Sequence, residues 1–289
     1  MIPLRDIARA KLNLTLEVLG RRSDGYHELR SLVAFAALGD ELELELGDAL
    51  EVRAQGRFAE KLSGDNLILR AAEAASTAAP GVKLGRFRLM KQLPVAAGLG
   101  GGSADAAAAL RLIARANPGR LSEAAMASIA ARLGSDVTVC LASRPALMTG
   151  RGESVEPVQG LPACGVLLAN PGVQLPAAAV YAELRAEDLR ASPLVAQGAP
   201  DFHGDFEQLI AYALPRLNDL EAPAARLVPE IREVLAALLA LDGPHLVRLS
   251  GSGPTCFALF ASEEDAKREG ARLRDEFPNW WIEASSLGS

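Results

Sequence analysis

GLGGGS at residues 98–103 is the stretch on which the interpretation of the whole chain depends, because four of residues 98–102 are glycine. Glycine gives up more conformational entropy on folding than any other residue, so something must require backbone without side chains here. Residues 85–95 alternate like a strand that ends at Pro94. Residues 104–116 are nearly all strong helix formers, with Ser103 and Asp105 as possible caps. The pattern predicts a strand, a glycine loop and a helix from Ala104.

This order favours a phosphate-binding loop. Consecutive N–H groups of glycine-rich backbone can converge into a concave anion site. The helix that follows adds its unpaired N-terminal N–H groups and the positive end of its dipole. Ser103 adds a hydroxyl for a phosphate oxygen or for magnesium. We therefore expect a di- or triphosphate to bind here.

Two commoner glycine-rich motifs do not fit these residues. A Walker A loop needs a lysine directly after its last glycine, and none follows here. The dinucleotide fingerprint GxGxxG fails because its third glycine position falls on Ser103. A merely flexible connection stays an alternative, although short turns rarely need so many glycines.

Composition narrows the class of protein. The chain has 289 residues, 49% of them hydrophobic and 23% charged, which is typical of a globular protein. A net charge of −6 argues against non-specific nucleic-acid binding. Cys140, Cys164 and Cys256 form no CxxC pair, so we expect free core thiols rather than disulfides or zinc ligands. No signal peptide or membrane span is predicted, which favours a cytoplasmic protein.

Periodicity predicts a mixed α/β chain in two halves, with a boundary near residue 160. The predicted strands are 11–20, 40–52, 85–94, 137–141, 163–170 and the two sides of a glycine turn in 245–261. The predicted helices are 64–76 (capped near Asp65), 104–116, 122–133, 180–189, 206–214, 229–241 and 263–277. Residues 192–205 have the composition of a loop.

Four residues are candidates for a functional site, two for phosphoryl transfer and two for binding a base. Phosphoryl transfer needs charge neutralisation and an aligned hydroxyl. Asp136 and Lys11 are charged residues among apolar neighbours. Composition alone would make Asp136 a cap or turn residue and Lys11 an ordinary strand lysine. Tyr26 and His27 follow the Asp24–Gly25 turn and could bind a base. A packed tyrosine and a surface histidine are the alternative.

Four segments together resemble the superfamily of galactokinase, homoserine kinase, mevalonate kinase and phosphomevalonate kinase. They are KLNLTLEVLGRRSDGYHEL (11–29), PVAAGLGGGSADAAAAL (94–110), LGSDVTVCL (133–141) and RLSGSGPTCFALF (248–260). The resemblance runs from about Ala8 to Ala284. The first segment and NDLE at 218–221 resemble the branch that acts on 4-diphosphocytidyl-2-C-methyl-D-erythritol in the non-mevalonate isoprenoid pathway.

The resemblance implies a fold and a reaction. The fold would be α+β, with an N-terminal domain (1–160) like domain 2 of ribosomal protein S5, a ferredoxin-like C-terminal α/β domain (161–289) and the active site in the cleft between them. The reaction would move a phosphoryl group from ATP, with Mg²⁺, to the 2-hydroxyl of the cytidyl substrate. The only partner expected is that small molecule, for a monomer or weak homodimer that binds neither nucleic acid nor membrane.

The resemblance also implies roles for residues. Lys11 and Asp136 would be the catalytic pair. Asn13, Tyr26, His27 and Tyr181 would bind the substrate, with the two tyrosines around the cytosine and His27 at its edge. ATP would contact Pro94, Val95, Ala96, Ala97, Gly98, Leu99, Gly100, Gly101, Gly102, Ser103, Ala104, Asn66 and Lys91. The metal ligands stay open.

Two departures and two alternatives accompany this assignment. Thr138 stands where the family has proline, and Tyr181 stands where phenylalanine is frequent. A sister kinase for homoserine, mevalonate or a sugar would have no use for Tyr26, His27 and Tyr181. A non-catalytic nucleotide-binding protein would not need Lys11 or Asp136.

Overall fold

The computed structural model describes residues 3–62, 66–187 and 198–288. The strands are β1 (Leu4–Asn13), β2 (Glu17–Arg21), β3 (His27–Leu46), β4 (Glu51–Gln55), β5 (Gly85–Met90), β6 (Ala146–Gly150), β7 (Ser154–Pro157), β8 (Cys164–Asn170), β9 (Leu246–Leu249), β10 (Cys256–Phe260) and β11 (Trp281–Leu287). The helices are α1 (Leu67–Ala78), α2 (Gly101–Ala116), α3 (Glu123–Leu133), α4 (Ser135–Ala142), α5 (Ala177–Leu184), α6 (Phe206–Ala213), α7 (Glu221–Leu227), α8 (Glu230–Leu239) and α9 (Glu263–Glu276). Within these ranges, no helix has the length and apolar character to cross a bilayer.

The chain forms two compact units that are not contiguous in sequence. The first unit comprises Met1–Ala10, Leu38–Val95 and Gly100–Ser143, and the second comprises Lys11–Ala37, Ala96–Leu99 and Arg144–Ser289. The division near residue 160 refers to sequence domains and stays a prediction.

The first unit contains a small sheet and the helices α1 to α4. β5 pairs antiparallel with residues 41–46 of β3 and parallel with β4. The alternation in this part of β3 places Leu42 and Leu44 on the buried side, where they join Phe87 of β5. α2 packs against α1 and α4. Its middle is buried on all sides, since Ala106–Ala109 are fully inaccessible to solvent.

In the second unit, β8 is the central strand. It pairs antiparallel with β10 on one side and with β11 on the other, and β9 follows β10. β8 is an unbroken apolar run because both of its faces are covered, as its fully buried pattern shows. α5, α7, α8 and α9 contribute to the core on this sheet. All three cysteines are buried free thiols, as predicted.

Several sequence-based boundaries are corrected. Residues 135–142 form α4 rather than a strand, although Val137 and Val139 have high β propensity, because both pack as buried residues of a helix that starts directly after Gly134. α2 begins at Gly101 with Gly100 as its N-cap, so Ser103 and Asp105 lie inside it and do not cap it. The predicted strand over 11–20 breaks after Asn13 and resumes at Glu17.

Smaller differences concern the ends of elements. β5 ends at Met90, before Pro94. The N-cap of α1 is Asn66, next to the predicted position, and its side chain accepts a hydrogen bond from the N–H of Ile68. α5 ends at Leu184, where Arg185 takes a left-handed conformation. Leu189, the predicted end of that helix, and residues 192–197 of the predicted loop lie outside the described residues.

Candidate active site

The glycine loop alternates in backbone handedness. Ala96, Gly98 and Gly100 have positive φ angles of 52°, 76° and 62°, and the intervening residues do not. Alternation of this kind turns successive N–H groups toward a common side and makes an anion-binding concavity. The glycines at 98 and 100 fit because only glycine adopts this conformation without strain.

Hydrogen bonds in the second unit fix the orientation of this loop. The carbonyl oxygens of residues 96–99 each accept one bond, from Leu175 N–H (3.4 Å), Thr255 N–H (3.2 Å), the Ser250 hydroxyl (2.9 Å) and Lys11 N–H (2.9 Å) in that order. The C=O and N–H of a trans peptide point in opposite directions. The N–H groups of residues 97–100 therefore point away from these donors and stay available for a ligand.

The start of α2 supplies further donors. The first intrahelical bond joins the N–H of Ala104 to the carbonyl of Gly100 at 2.8 Å. The N–H groups of Gly101, Gly102 and Ser103 have no acceptor among the described residues. Free donors and the positive end of a helix dipole favour a bound anion.

The glycine turn at 251–253 packs on the glycine loop. A Cβ atom on Gly98 would lie 2.2 Å from the carbonyl oxygen of Ser250, and one on Gly251 would lie 3.1 Å from the oxygen of Gly98. The buried side chain of Asn218 donates to the carbonyl of Gly251 at 2.8 Å and so holds the turn in place. The glycine turn at 251–253 and the segment 218–221 thus both help to hold the glycine loop in place.

On β1, Asn13 lies next to this turn and Lys11 lies next to the glycine loop, and both residues are buried. The Asn13 amide donates to the hydroxyl of Ser31 at 2.7 Å. Its Oδ1 atom is buried and accepts no hydrogen bond from any described residue. An unpaired buried acceptor costs free energy, and a hydroxyl of a bound ligand would satisfy it.

Asp136 occupies the first turn of α4 and is half-buried. A carboxylate at this place lies near the positive end of the helix dipole. The start of α4 therefore explains why an acidic residue occurs among apolar neighbours here. This position is compatible both with a structural role at the helix terminus and with a role as catalytic base. Its pairing with Lys11 stays a prediction.

Three rings predicted to hold a base lie in the second unit. The rings of His27 and Tyr181 stack with centroids 4.9 Å apart and planes at 24°. Tyr26 is 57% exposed, and the guanidinium of Arg151 lies 4.8 Å from its ring centroid. Burial, aided by the positive charge of Arg21, lowers the pKa of His27. A neutral imidazole offers one donor and one acceptor to the edge of a base.

Lys91 is held by two carboxylates in the first unit. Its Nζ lies 2.5 Å from Asp40 and 2.7 Å from Asp105, and all three side chains are buried. Burial acts to lower the pKa of Lys91, but the two carboxylates outweigh it and raise that pKa. Burial raises the pKa of Asp105 to about 7, against the opposing charge of Lys91. The roles of Lys91 and Asn66 toward ATP stay predictions.

Asp40 and Arg151 are the residues that sequence reasoning missed. Asp40 lies on the same side of β3 as buried Leu42 and Leu44, and an acid in register with core leucines was a readable signal. Arg151 carries no such signal, because only the pairing of β3 with β6 brings it near Tyr26.

Comparison with known proteins places the chain in a family. Residues 66–144 match the family described as "GHMP kinases N terminal domain" and residues 199–279 match "GHMP kinases C terminal". These matches fall on either side of residue 160, and the predicted α+β GHMP kinase fold is confirmed.

Relatives agree along the full length. The chain is 48% identical over 289 residues to the 4-diphosphocytidyl-2-C-methyl-D-erythritol kinase of Parvibaculum lavamentivorans, covering 99% of each chain. It is 47% identical over 283 residues to the enzyme of the same name from Cereibacter sphaeroides, covering 97% of this chain and 98% of the other.

Solved structures of related kinases share the fold of this chain over nearly its full length. A crystal structure of 4-(cytidine 5'-diphospho)-2C-methyl-D-erythritol kinase superposes with a TM-score of 0.78 at 34% identity, covering 99% of this chain and 100% of the other. Homoserine kinase from Cytophaga hutchinsonii, at 20% identity and a TM-score of 0.70, covers 99% of this chain and 94% of its own, and shares the fold. The chain belongs to the 4-diphosphocytidyl-2-C-methyl-D-erythritol kinase family of the GHMP kinases.

Proposed function

We propose that the protein is an ATP-dependent kinase that phosphorylates the 2-hydroxyl of 4-diphosphocytidyl-2-C-methyl-D-erythritol, giving the 2-phosphate and ADP. This is a step of the non-mevalonate route to isoprenoid precursors. The observation that carries the proposal is the stacked pair of His27 and Tyr181 in a chain that is 48% identical to a kinase of this name. Aromatic rings beside a neutral imidazole fit a pyrimidine base.

ATP is the phosphoryl donor in this proposal. Its phosphates would accept hydrogen bonds from the N–H groups of residues 97–100 and from those of Gly101, Gly102 and Ser103. Mg²⁺ would bind with ATP and neutralise charge on the β- and γ-phosphates. The hydroxyl of Ser103, in the first turn of α2, is the group that we assign to a phosphate oxygen or to the metal.

The acceptor hydroxyl is activated by Asp136 in this proposal. The carboxylate accepts the proton of the 2-hydroxyl while the alcohol oxygen bonds to the γ-phosphorus, and the bond from that phosphorus to the β–γ bridging oxygen breaks. Lys11 balances negative charge on the transferred group. The free Oδ1 atom of Asn13 accepts a hydrogen bond from the substrate and so orients it.

The cytidine would lie against Tyr26 and Tyr181, with His27 reading its edge. Tyr26 is exposed and therefore open to a ligand, and Arg151 supports its ring by a cation–π contact.

We also propose a monomer or weak homodimer in the cytoplasm, with sequence domains that meet near residue 160. The cytoplasmic assignment is supported by the substrates, since both are charged and water-soluble nucleotides.

A phosphorus NMR assay tests the proposal directly. The protein is incubated with ATP, magnesium and the cytidyl substrate, and parallel samples contain mevalonate, homoserine or galactose. We expect a new phosphate monoester resonance with the cytidyl substrate alone. A monoester formed from one of the other alcohols would favour a sister kinase, and loss of the γ-phosphate to none of them would reject the assignment.

A further inference from the structure

A buried cluster of three charged residues lies directly under the start of α2, within the first unit. It consists of the Lys91 ammonium and the carboxylates of Asp40 and Asp105, none more than 3% exposed. Lysine and aspartate are almost never fully buried unless they are paired. A buried ion pair adds little net stability compared with apolar residues of similar volume. Its presence here therefore calls for a reason other than stability.

One side of the cluster is anchored firmly. The Oδ1 atom of Asp40 accepts hydrogen bonds from the backbone N–H groups of Gln92 (2.6 Å) and Leu93 (2.8 Å). Its Oδ2 atom accepts a hydrogen bond from Lys91 Nζ at 2.5 Å. The segment that follows β5 is thus tied to β3, and the Lys91 ammonium has a fixed position.

The other side of the cluster reaches α2. Asp105, four residues after Gly101, accepts Lys91 Nζ at 2.7 Å. A Cβ atom on Gly101 would lie 3.2 Å from Lys91 Nζ and 3.7 Å from Asp40 Oδ2. Contacts near 3.2 Å are tighter than usual, so glycine at this position lets the helix turn approach the ammonium.

We propose that Lys91, acting through Asp105, is a positioning residue that fixes the N-terminal turn of α2 so that its free N–H groups meet the phosphates of ATP. The inference rests on the proposed function, since it assumes that ATP binds at this turn. The Lys91 ammonium is occupied by the two carboxylates, so it acts on ATP through the helix and not by contact.

Substitutions at Asp105 test this arrangement while the pair of Lys91 and Asp40 stays intact. Asp105→Ala removes the link to α2, whereas Asp105→Asn keeps an oxygen that can accept the same hydrogen bond. The matched control is Asp6→Ala. Asp6 forms an ion pair of 3.0 Å with Arg111, farther along the same helix. The control therefore removes an ion pair to α2 without disturbing its first turn.

The measured quantities are the melting temperature, the Kd for a non-hydrolysable ATP analogue and the KM for each substrate. We expect Asp105→Ala to raise the Kd about tenfold, equivalent to roughly 1.4 kcal/mol. The KM for the cytidyl substrate should stay unchanged. Asp105→Asn and Asp6→Ala should keep the Kd within about twofold of the parent value, which is under ~0.5 kcal/mol. If Asp105→Ala does not fold, Asp105→Ser replaces it, because its hydroxyl is too short to reach Lys91.

The possible outcomes separate this inference from the proposed function. An unchanged Kd in Asp105→Ala, or an equal rise in Asp6→Ala, would overturn the positioning role. A parent protein that binds the ATP analogue but does not phosphorylate the cytidyl substrate would reject the proposed substrate, and the series of Kd values would still decide the role of Lys91. A parent protein that does not bind the analogue would reject both.

Discussion

The imidazole of His27 stacks on the phenol ring of Tyr181, with ring centroids 4.9 Å apart. His27 begins β3 and Tyr181 lies on α5, so the pair joins two elements far apart in the chain. His27 is partly buried, and this burial, together with the positive charge of Arg21, lowers its pKa. A histidine held flat and neutral in this way can offer its ring nitrogens to a base in the same plane.

Replacing Tyr181 should affect the cytidyl substrate and spare ATP. We expect Tyr181→Ala to raise the KM for the cytidyl substrate about tenfold or more, because base–aromatic stacking contributes about 1–3 kcal/mol. Tyr181→Phe keeps the ring and should behave like the parent. Steady-state kinetics with each substrate varied in turn measure both effects.

A matched control for this prediction is Trp280→Ala. Trp280 stacks on Phe277 with centroids 4.0 Å apart, so the variant also loses a stacked pair in the second unit. It should lower the melting temperature without changing either KM. A rise in the KM for ATP in Tyr181→Ala as large as that for the cytidyl substrate would contradict the cytidine assignment.

Asp136→Asn should retain ATP binding and lose turnover. The amide has the shape of the carboxylate but cannot accept the hydroxyl proton, and general-base catalysis contributes about 10²–10⁴-fold in rate. We expect kcat to fall by at least about 10²-fold. Isothermal titration with an ATP analogue and rate measurements under saturating substrate separate the two properties.

Glu123→Gln makes the equivalent change in the first turn of α3, the helix before α4. It should leave kcat unchanged, which would exclude a general effect of removing an acid at a helix start. Undiminished turnover in Asp136→Asn would remove Asp136 from the mechanism.

Gly98→Ala should destabilise the protein. The substitution puts a Cβ atom on a residue with φ of 76°, 2.2 Å from the carbonyl oxygen of Ser250. Backbone strain of this kind costs about 1–3 kcal/mol, and the overlap adds to it. Gly102→Ala is the matched comparison for stability, because its Cβ atom would meet Leu67 at an ordinary 3.7 Å. Thermal unfolding of the two variants should give a clearly lower melting temperature for Gly98→Ala only.

Stability should depend on pH through Asp105. Its pKa is raised from an ordinary 3.8 to about 7 in the folded protein, so the folded state binds a proton that the unfolded chain releases between those values. This contribution to stability is fully present at low pH and is lost as the pH rises through about 7. From pH 6 to pH 8 the free energy of unfolding should fall by about 1 kcal/mol more in the parent than in Asp105→Asn.

Urea unfolding at pH 6 and pH 8 measures this difference. Both proteins share all other titrating groups, so comparison with the asparagine variant isolates Asp105. An identical pH dependence in the two proteins would show that Asp105 does not carry the proton.

Local patterns predicted much of the fold. The helices α3 and α9 were predicted to within one residue at each end, and β8 was predicted from its uninterrupted apolar run. The prediction failed at α4, where β-branched residues favour a strand by propensity but pack as part of a helix. Tertiary packing decided that segment, and propensity alone contains no information about it.

The candidate site was predictable where it depends on neighbouring residues in the chain. The glycine loop could be predicted from its own residues, because the positive φ angles at residues 98 and 100 favour glycine. The cluster around Lys91 was not predictable, because Asp40 is 51 residues from Lys91 and only the pairing of β3 with β5 brings them together. Asp105 looked like a cap because its real partner could not be identified from its neighbours.

The alanines of α2 restrict how this protein can evolve. Residues 106–109 are enclosed on every side of the helix, so a larger side chain at any of them would have to displace its neighbours, at a cost of about 1–3 kcal/mol. Gly98 and Gly101 are restricted for a different reason, since Gly98 leaves room for the backbone of Ser250 and Gly101 leaves room for the side chain of Lys91. Sequence drift in this segment is therefore limited to small residues. Adaptation of this enzyme to a new temperature or a new nucleotide concentration should accumulate in other parts of the chain.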